Sequence, residues 1–413
     1  MRGAGDEMQI GERIAFYRQR RGYTQSQLAG LVGRSTDWLS KIERGERQMR
    51  RVDLLTELAR ALRVTLGDLM GQPVLMEEDE ERDDIPAIRD ALMAPGRLSR
   101  VLFAPPSDGR QPDLARAEQL VEFLWADYQR GRIGEVVERL PRLIRAAQQL
   151  EDAASDLDDG GRRRAWAMSA RTHHLAATTL SKVGEADLSW IAAERAMKAA
   201  DEADDALVLA SAARAATHAL LAVGRYDDAL SLGETAAHWL GPQVAAGDPN
   251  ALSLLGMLHL RTAVAAARRQ DRAVATELLG HAEQSATRLG EDGNYWQTGF
   301  GPTNVELHRL SAGLDLGDMT WVVRRGENVD VAHLPAERQV THLIDLARAL
   351  SYLARDDDAV DLLLEAERTA PALVRHSAVV REAVKTMHRR APVSTGARSS
   401  RLLALAQRCR AVR

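Results

Sequence analysis

Several features are scarce or missing in this 413-residue chain, and each one excludes a class of protein. Cysteine occurs once, at Cys409, so no internal disulfide can form and a reducing compartment is expected. The chain has no run of 18 apolar residues, and its N-terminus lacks the apolar core of a signal peptide. We therefore expect a cytoplasmic protein with no membrane contact.

Aromatic residues make up only 4% of the chain, whereas alanine and leucine dominate it. Alanine and leucine favour helices, so the composition predicts an all-α fold. A chain of this length is too long for one ordinary core, so two or more domains are expected.

Motifs for catalysis and metal binding are also missing. The sequence has no glycine-rich phosphate loop, no G-x-S-x-G, no H-E-x-x-H and no close spacing of His, Cys and Asp ligands. We therefore predict no catalytic residue, no metal and no cofactor, and an enzyme is the least favoured class.

The net charge of −4 conceals an uneven distribution. Residues 1–73 carry 13 Lys and Arg against 9 Asp and Glu, and residues 375–413 carry 10 basic residues against one acid. Residues 74–374 therefore hold about −17, which nucleic acid would repel. Any contact with DNA is expected at the ends of the chain.

Residues 11–21 have the periodicity of a helix. Ile14, Phe16 and Tyr17 supply its apolar contacts, and Gly22 tolerates the positive φ that ends it. A second helix is predicted to begin at Thr24 and to end at Gly33, with Thr24 and Gln27 forming a capping box. The buried face of this second helix is predicted to comprise Leu28, Leu31 and Val32.

Ser35 is placed to cap a third helix, in which Leu39 and Ile42 point inward. Two such helices joined by a short turn form a helix-turn-helix arrangement. Polar side chains near the start of the third helix, or on its outer face, can hydrogen-bond base edges. These candidates are Thr36, Asp37, Ser40 and Lys41. For Asp37, two readings remain open: acceptance from a cytosine amino group, or capping of the helix.

An arginine cluster follows the third helix and suits the sugar-phosphate backbone. It comprises Arg44, Arg47, Arg50 and Arg51. Residues 52–62 and 65–70 then supply two more amphipathic helices, so a five-helix domain is predicted over residues 1–73. The alternative function for this domain is packing or dimerisation alone.

The stretch TQSQLAGLVGRSTDWLSKIERGER, residues 24–47, resembles the XRE, or phage-repressor-like, helix-turn-helix family. The T-Q-x-x-L-A and I-E-x-G patterns of the family match Thr24, Gln25, Leu28 and Ala29, and Ile42, Glu43 and Gly45. The resemblance implies that Gln25 touches a phosphate, that Thr36, Asp37 and Lys41 face bases, and that Arg18 pairs with Glu43. Asp37 and Trp38 depart from the usual residues of the family.

Residues 74–111 are predicted to be a linker, because they contain the acidic run EEDEERDD at 77–84 and then four prolines. The alternative for the acidic run is a strap that competes with DNA for the arginine cluster.

A loose repeat occupies residues 112–390, and its clearest copy is AVGRYDDALSLGETAAHWL at 222–240. Each copy has a turn residue followed five positions later by a small or β-branched side chain, which lets paired helices approach closely. The predicted turns are Gly131, Gly184, Gly224, Arg268, Gly317 and Ala354. The positions five residues later are Val136, Ser189, Ala229, Ala273, Val322 and Ala359. The pattern predicts an α-solenoid of helix pairs.

These copies resemble degenerate tetratricopeptide repeats. The spans GFGPTNVELHRLSAGLDLGD (299–318) and RQVTHLIDLARALSYLARDDDAVDLLLEAERTAP (338–371) resemble the carboxyl half of actinobacterial regulators that join an XRE domain to such repeats. This resemblance implies a sensor and dimerisation domain, with a short peptide as the effector in some members.

A patch near residues 299–302 is the best sequence candidate for contacting an effector, because rings and an amide can hold a peptide. It comprises Tyr295, Trp296, Asn304 and His308. A histidine also falls once on each of five predicted first helices, at His174, His218, His259, His308 and His342. For these histidines, packing between repeats is favoured over ligand binding. The basic terminal segment 375–413, whose last part, 391–413, lies beyond the repeats, is interpreted as a capping helix with a frayed tail, or alternatively as a second nucleic-acid contact.

Together these features predict a transcription regulator that binds a palindromic operator in double-stranded DNA as a homodimer and senses a peptide or small-molecule effector. The alternative is a protein-interaction adaptor, in which the repeats dock a partner protein and the helix-turn-helix only localises the complex.

Overall fold

The chain folds into helices in the computed structural model. The described residues are 10–20, 23–46, 52–62, 69, 85–97, 113–245, 247–391 and 397–412. Over these ranges the only β-structure is an isolated antiparallel bridge between Gly293 and Phe300, which confirms the all-α prediction. None of the helices in these ranges is long and apolar enough to cross a membrane. The chain divides into two compact units, residues 1–86 and 87–413.

Four helices within the described residues of the first unit surround one core. They are α1 (Ile10–Arg20), α2 (Gln25–Leu31), α3 (Thr36–Glu43) and α4 (Val52–Leu62). The buried core comprises Ile14, Leu28, Ala29, Val32, Leu39, Ile42, Leu55, Leu58, Ala59, Leu62 and Leu69. Helices α1 and α3 cross so closely that a Cβ on Gly11 would lie 2.0 Å from the carbonyl oxygen of Ile42. Glycine is required at this crossing because no side chain fits there.

The prediction that Leu31 is buried in the core is wrong. Leu31 is 60% exposed, and Ala29 occupies the inner face of α2 in its place. Helix α2 has only seven residues, so residue 31 turns away from the core while residues 28, 29 and 32 face it. Gly22, the side chain of Phe16 and most of the predicted fifth helix lie outside the described residues, although Leu69 is helical and buried.

The predicted linker contains a helix, α5 (Ile85–Leu92). Its inner face comprises Ile85, Ile88, Ala91 and Leu92, all buried. A short 3-10 turn follows at Pro95–Arg97. The acidic run 77–84 lies outside the described residues.

The second unit begins with six antiparallel helix pairs. The pairs are α6 (Leu114–Gln129) with α7 (Ile133–Ala153), α8 (Asp159–Lys182) with α9 (Ala186–Ala203), α10 (Ala206–Ala222) with α11 (Tyr226–Ala245), α12 (Pro249–Arg268) with α13 (Arg272–Leu289), α14 (Pro302–Asp315) with α15 (Met319–Gly326), and α16 (Ala336–Tyr352) with α17 (Asp356–Thr369). Each second helix also packs on the first helix of the next pair, as in a tetratricopeptide solenoid.

The turn inside each pair has one residue with positive φ, and the structure corrects one of the six predicted turns. The turn residues are Gly131, Gly184, Gly224, Gln270, Gly317 and Ala354. The fourth is Gln270 rather than Arg268, because α12 continues through Arg268. The buried position five residues later is therefore Ala275, whereas the predicted Ala273 is exposed. The other five predicted positions are fully buried.

The six first helices form a closed ring. Each contacts the next, from α6 through α16, and α16 then contacts α6. The end of the solenoid also meets its beginning at α18 (Pro371–Arg375), which packs on α7. The inner surfaces of the six first helices therefore enclose the space at the centre of this unit.

The second unit ends with α19 (Ala378–Arg390) and α20 (Ala397–Arg408), which packs on α17 and α19. Glu367 of α17 accepts two hydrogen bonds of 2.7 Å from Arg408. Leu402, Leu405 and Cys409 are buried in the same contact. This packing matches the capping interpretation of the C-terminal segment.

Candidate nucleic-acid interface

The sequence between α2 and α3 fixes the direction of α3. Thr24 and Gln27 form the predicted capping box at the start of α2, with the Thr24 hydroxyl 3.1 Å from the Gln27 amide nitrogen. Gly33 has a φ of 62°, and the chain changes direction there. Glycine adopts this left-handed conformation without the steric strain that a side chain would add. Ser35 then caps α3 by accepting from the amide of Trp38. These local signals produce the helix-turn-helix geometry.

The carboxylate of Glu43, on the inner side of α3, connects α3 to α1 and α2. Glu43 accepts hydrogen bonds from Arg18 Nε at 2.6 Å and Arg18 Nη2 at 2.9 Å. The Gln25 side-chain amide donates to the same carboxylate at 2.7 Å, and Arg18 also donates to the carbonyl of Tyr23. The hydrogen bond with Glu43 raises the pKa of Arg18 against the effect of burial. The Gln25 amide therefore faces Glu43, and a phosphate contact by this side chain requires that bond to be shared or replaced.

The outer face of α3 carries the predicted base-facing residues. Thr36, Asp37 and Lys41 are exposed, and Ser40 is half-buried, while Leu39 and Ile42 point into the core. All four candidates therefore project from one short helix on the side away from the unit.

The capping alternative for Asp37 is not what the structure shows, because Ser35 is the cap of α3. The Asp37 carboxylate instead accepts from Lys41 Nζ at 2.8 Å, one helical turn later. Since both groups are exposed, this pair is weak and its members can separate when another charged group arrives.

Arg44 continues the basic surface immediately after α3. It donates to Glu46 at 2.7 and 3.1 Å and to the Ser40 hydroxyl at 2.8 Å. Arg34 lies over the ring of Trp38, 5.9 Å from its centroid, which accounts for the position of this unusual tryptophan. The remaining members of the predicted arginine cluster, Arg47, Arg50 and Arg51, lie outside the described residues.

The predicted effector patch in the second unit is divided by the fold. Asn304 is fully buried, and its amide donates to the carbonyl of Gly299 at 2.9 Å. Tyr295 donates to Glu291, and Trp296 lies under the guanidinium of Arg171. His308 is also buried. It lines a cavity of about 840 Å³ in the second unit, whereas the other three residues do not. The four residues therefore do not form one exposed surface.

The five repeat histidines lie on first helices, as predicted. Burial, followed by the charge of nearby arginines, lowers the pKa of His174, His218 and His308 well below the usual value. Burial also lowers the pKa of His259 to about 4. These side chains are neutral at pH 7. No group of three or more His, Cys, Asp and Glu side chains in the described part of the chain is arranged to hold a metal ion.

Comparison with known proteins places these features in context. A crystal structure of Bacillus thuringiensis PlcR in complex with the peptide PapR7 and DNA aligns with 68% of this chain and 95% of its own, at 15% identity and a TM-score of 0.29. A TM-score this low does not establish a shared arrangement of the repeats.

The N-terminal match is much closer. The HTH-type transcriptional regulator SlrR of Bacillus subtilis is 41% identical over 69 residues, which are 17% of this chain and 45% of SlrR. The match therefore spans less than half of that relative. Residues 9–70 match the protein family described as "Helix-turn-helix domain". The N-terminal unit of this chain is a helix-turn-helix domain.

Proposed function

We propose that this protein is a non-enzymatic transcription regulator that binds DNA through α3 and acts in the cytoplasm as a homodimer. The observation that carries the proposal is the outer face of α3, on which Thr36, Asp37 and Lys41 are exposed above a helix fixed from behind by Glu43. Exposed polar side chains on a rigid short helix can enter a major groove and read base edges.

Two kinds of contact are assigned to this surface. Thr36, Asp37, Ser40 and Lys41 would face bases, while Arg44 and the backbone amides at the start of α2 and α3 would face phosphates. Gln25 and the arginines at 47, 50 and 51 extend the phosphate-facing group. The family match over residues 9–70 includes all of these positions.

The second unit is assigned dimerisation and sensing of a peptide or small-molecule effector. Two recognition helices about 34 Å apart would read the two halves of a palindromic operator. An effector changes DNA affinity only if it binds the DNA-competent dimer more or less tightly than the incompetent one. A change in the separation of the two recognition helices would provide that difference.

The first experiment is genome-wide DNA capture with the tagged full-length protein in its own host. The test variant is Thr36→Ala/Lys41→Ala, and the matched control is Lys198→Ala, which removes an exposed lysine from α9 in the repeat unit. We expect a few sharp peaks that share a two-fold motif, lost in the test variant and kept in the control. Peaks that persist unchanged in the test variant would show that α3 does not read bases.

Binding to short duplexes separates the two classes of contact. Arg44→Ala should weaken binding to every duplex and reduce the slope of log affinity against log salt by about 1. Thr36→Ala should instead change the preferred sequence and leave the salt slope unchanged. Identical behaviour of these two variants would contradict the placement of α3 in the groove.

A further inference from the structure

Four residues that line one cavity at the closure of the ring each have a buried polar atom without a protein partner. These atoms are Trp125 Nε1, Tyr128 Oη, Arg214 Nε and Arg261 Nε. The described residues contain ten such atoms in total, so nearly half of them converge on this cavity of about 30 Å³. Buried polar groups normally have partners, and each unmade hydrogen bond costs free energy. A concentration of them in one place indicates a site rather than scattered packing faults.

All four atoms are able to donate a hydrogen bond, and three of them can only donate. Trp125, Tyr128 and Arg214 are only 2%, 4% and 7% exposed, so these groups are largely removed from bulk solvent. A group that satisfies several converging donors must be rich in acceptors. A carboxylate or a phosphoryl group has this property.

The charge around the cavity points the same way. Three arginines line it, Arg214, Arg261 and Arg338, against a single carboxylate, Glu337. That carboxylate is already engaged: it pairs with Arg338 at 2.7 Å and with Lys182 at 2.6 Å.

Arg214 and Arg261 remain without a carboxylate partner. Arg214 contacts only His174, 3.2 Å from its ring, and Arg261 has no hydrogen-bond or ion-pair partner in the described part of the chain. Burial, followed by the charge of Arg338, lowers the pKa of Arg214 to about 10 and that of Arg261 to about 9. Unpaired charges at such positions are unfavourable, and a bound anion would relieve them.

A larger cavity lies next to the small one, and three residues line both. The larger cavity has a volume of about 840 Å³ and shares His218, Arg261 and Arg338 with the smaller one. A volume of that size suits a small-molecule ligand. A ligand whose anionic group lies in the small cavity could therefore place the rest of the molecule in the larger cavity, between the first helices.

We propose that the ring of first helices binds a small molecule through a carboxylate or phosphoryl head, which is held by Arg214, Arg261, Trp125 and Tyr128. The same arginines come from α10 and α12, while the aromatic donors come from α6, so the bound head joins the first pair to the middle pairs across the closure of the ring. In calling this molecule the effector, the inference rests on the proposed function. The binding itself does not depend on DNA.

The test is thermal unfolding of the full-length protein without DNA, in increasing sodium phosphate or sodium succinate at constant ionic strength set with sodium chloride. We expect a saturable rise in Tm of a few degrees with one of the two probes, since a ligand that binds only the folded state stabilises it. A rise with succinate identifies a carboxylate head, and a rise with phosphate identifies a phosphoryl head. Absence of a saturable rise with both probes would overturn the proposal.

Arg261→Met is the decisive variant, because methionine keeps much of the length of the side chain and removes its charge. It should raise the Tm of the ligand-free protein and abolish the saturable rise. Arg195→Met is the matched control: Arg195 also has a buried Nη1 without a partner, but it does not line either cavity. An equal rise in wild type and Arg261→Met would reflect the general exclusion of phosphate from protein surfaces and would contradict the proposal.

Tyr128→Phe provides a second variant that keeps the shape of the cavity. Loss of one hydrogen bond to a charged group should weaken the apparent affinity for the effective probe by about tenfold. If DNA capture fails while saturable anion binding is observed, the proposed function as a DNA-binding regulator is contradicted and the anion site is supported. If DNA capture is specific while no saturable binding is observed, the anion site is contradicted and the proposed function is supported.

Discussion

Arg18 and Glu43 form a two-point ion pair that ties α1 to α3, and the same carboxylate accepts from Gln25 at the start of α2. The Arg18 and Glu43 side chains are only 11% and 5% exposed. Removing one member of such a pair leaves the other charge buried without compensation, which is more costly than replacing both. The orientation of α3 therefore depends on this carboxylate.

Glu43→Met should destabilise the first unit by about 3 kcal/mol, because Arg18 loses its partner. Hydrogen exchange of the α3 amides in the full-length protein is the measurement, since it reports this unit separately from the repeats. Arg18→Met/Glu43→Met should recover part of the protection, because no unpaired charge remains. If the double variant exchanges faster than Glu43→Met, the pair does not work in this way.

The contact of Phe300 with α12 leaves no room for a side chain at Gly256. A Cβ at this position would lie 1.9 Å from the Phe300 ring, which is itself fully buried. Gly256→Ala should therefore destabilise the repeat unit by about 1–3 kcal/mol, the range for an overfilled core. Gly280→Ala, in the neighbouring α13, meets no atom within 4 Å and should stabilise by about 0.5–1 kcal/mol through helix propensity. Urea unfolding of both variants tests this difference, and equal effects would contradict it.

Two of the six turns inside the helix pairs use a residue other than glycine in the left-handed region. Ala354 has a φ of 57° and Gln270 a φ of 64°. Ala354→Gly should stabilise the repeat unit by about 1 kcal/mol, because glycine adopts this conformation without strain. Gln270→Gly should gain less, since its amide donates to the Asp315 carbonyl at 2.8 Å and that bond is lost. Thermal unfolding compares the two, and a larger gain for Gln270→Gly would show that the amide contributes nothing.

Local signals in the sequence were sufficient for the first unit. The caps at Thr24 and Ser35 and the break at Gly33 depend on neighbouring residues only, so their positions follow from spacing. Leu31 was misplaced because a seven-residue helix is too short for periodicity to separate a core position from an exposed one. The repeat turns were found for the same reason as the caps, except in the fourth pair, where the turn residue is Gln270 rather than the predicted Arg268.

The interior of the second unit could not be predicted in this way. Arg214 and Arg261 lie in separate helices, on different repeats, and each resembles an ordinary solvent-facing arginine in the sequence. They come together with Trp125 and Tyr128 only because the ring closes between α16 and α6. A repeat pattern specifies how each pair contacts the next, whereas closure depends on the sum of small rotations over six pairs.

The buried histidines make the stability of the repeat unit depend on pH. Burial, followed by the charge of Arg261 and Arg338, lowers the pKa of His308 well below its usual value, while Nδ1 hydrogen-bonds the Asn304 carbonyl at 2.9 Å. In the unfolded chain this histidine takes up a proton below about pH 6.5, whereas in the folded chain it remains neutral. The unfolded state therefore gains protons as the pH falls, so the contribution of His308 to stability is fully present above about pH 6.5 and decreases progressively below it.

Each histidine that stays neutral should lower the free energy of unfolding by about 1.4 kcal/mol between pH 7.5 and 5.5. His173, His174 and His218 share this behaviour with His308, so their losses add. His308→Gln should reduce the total loss by about the amount of one histidine, measured as the difference between urea unfolding at the two pH values. His238→Gln, which replaces a histidine on the exposed surface of the same unit, is the control. An unchanged loss in His308→Gln would mean that His308 is protonated in the folded chain, and the positive interior described above would then have to accommodate one more charge.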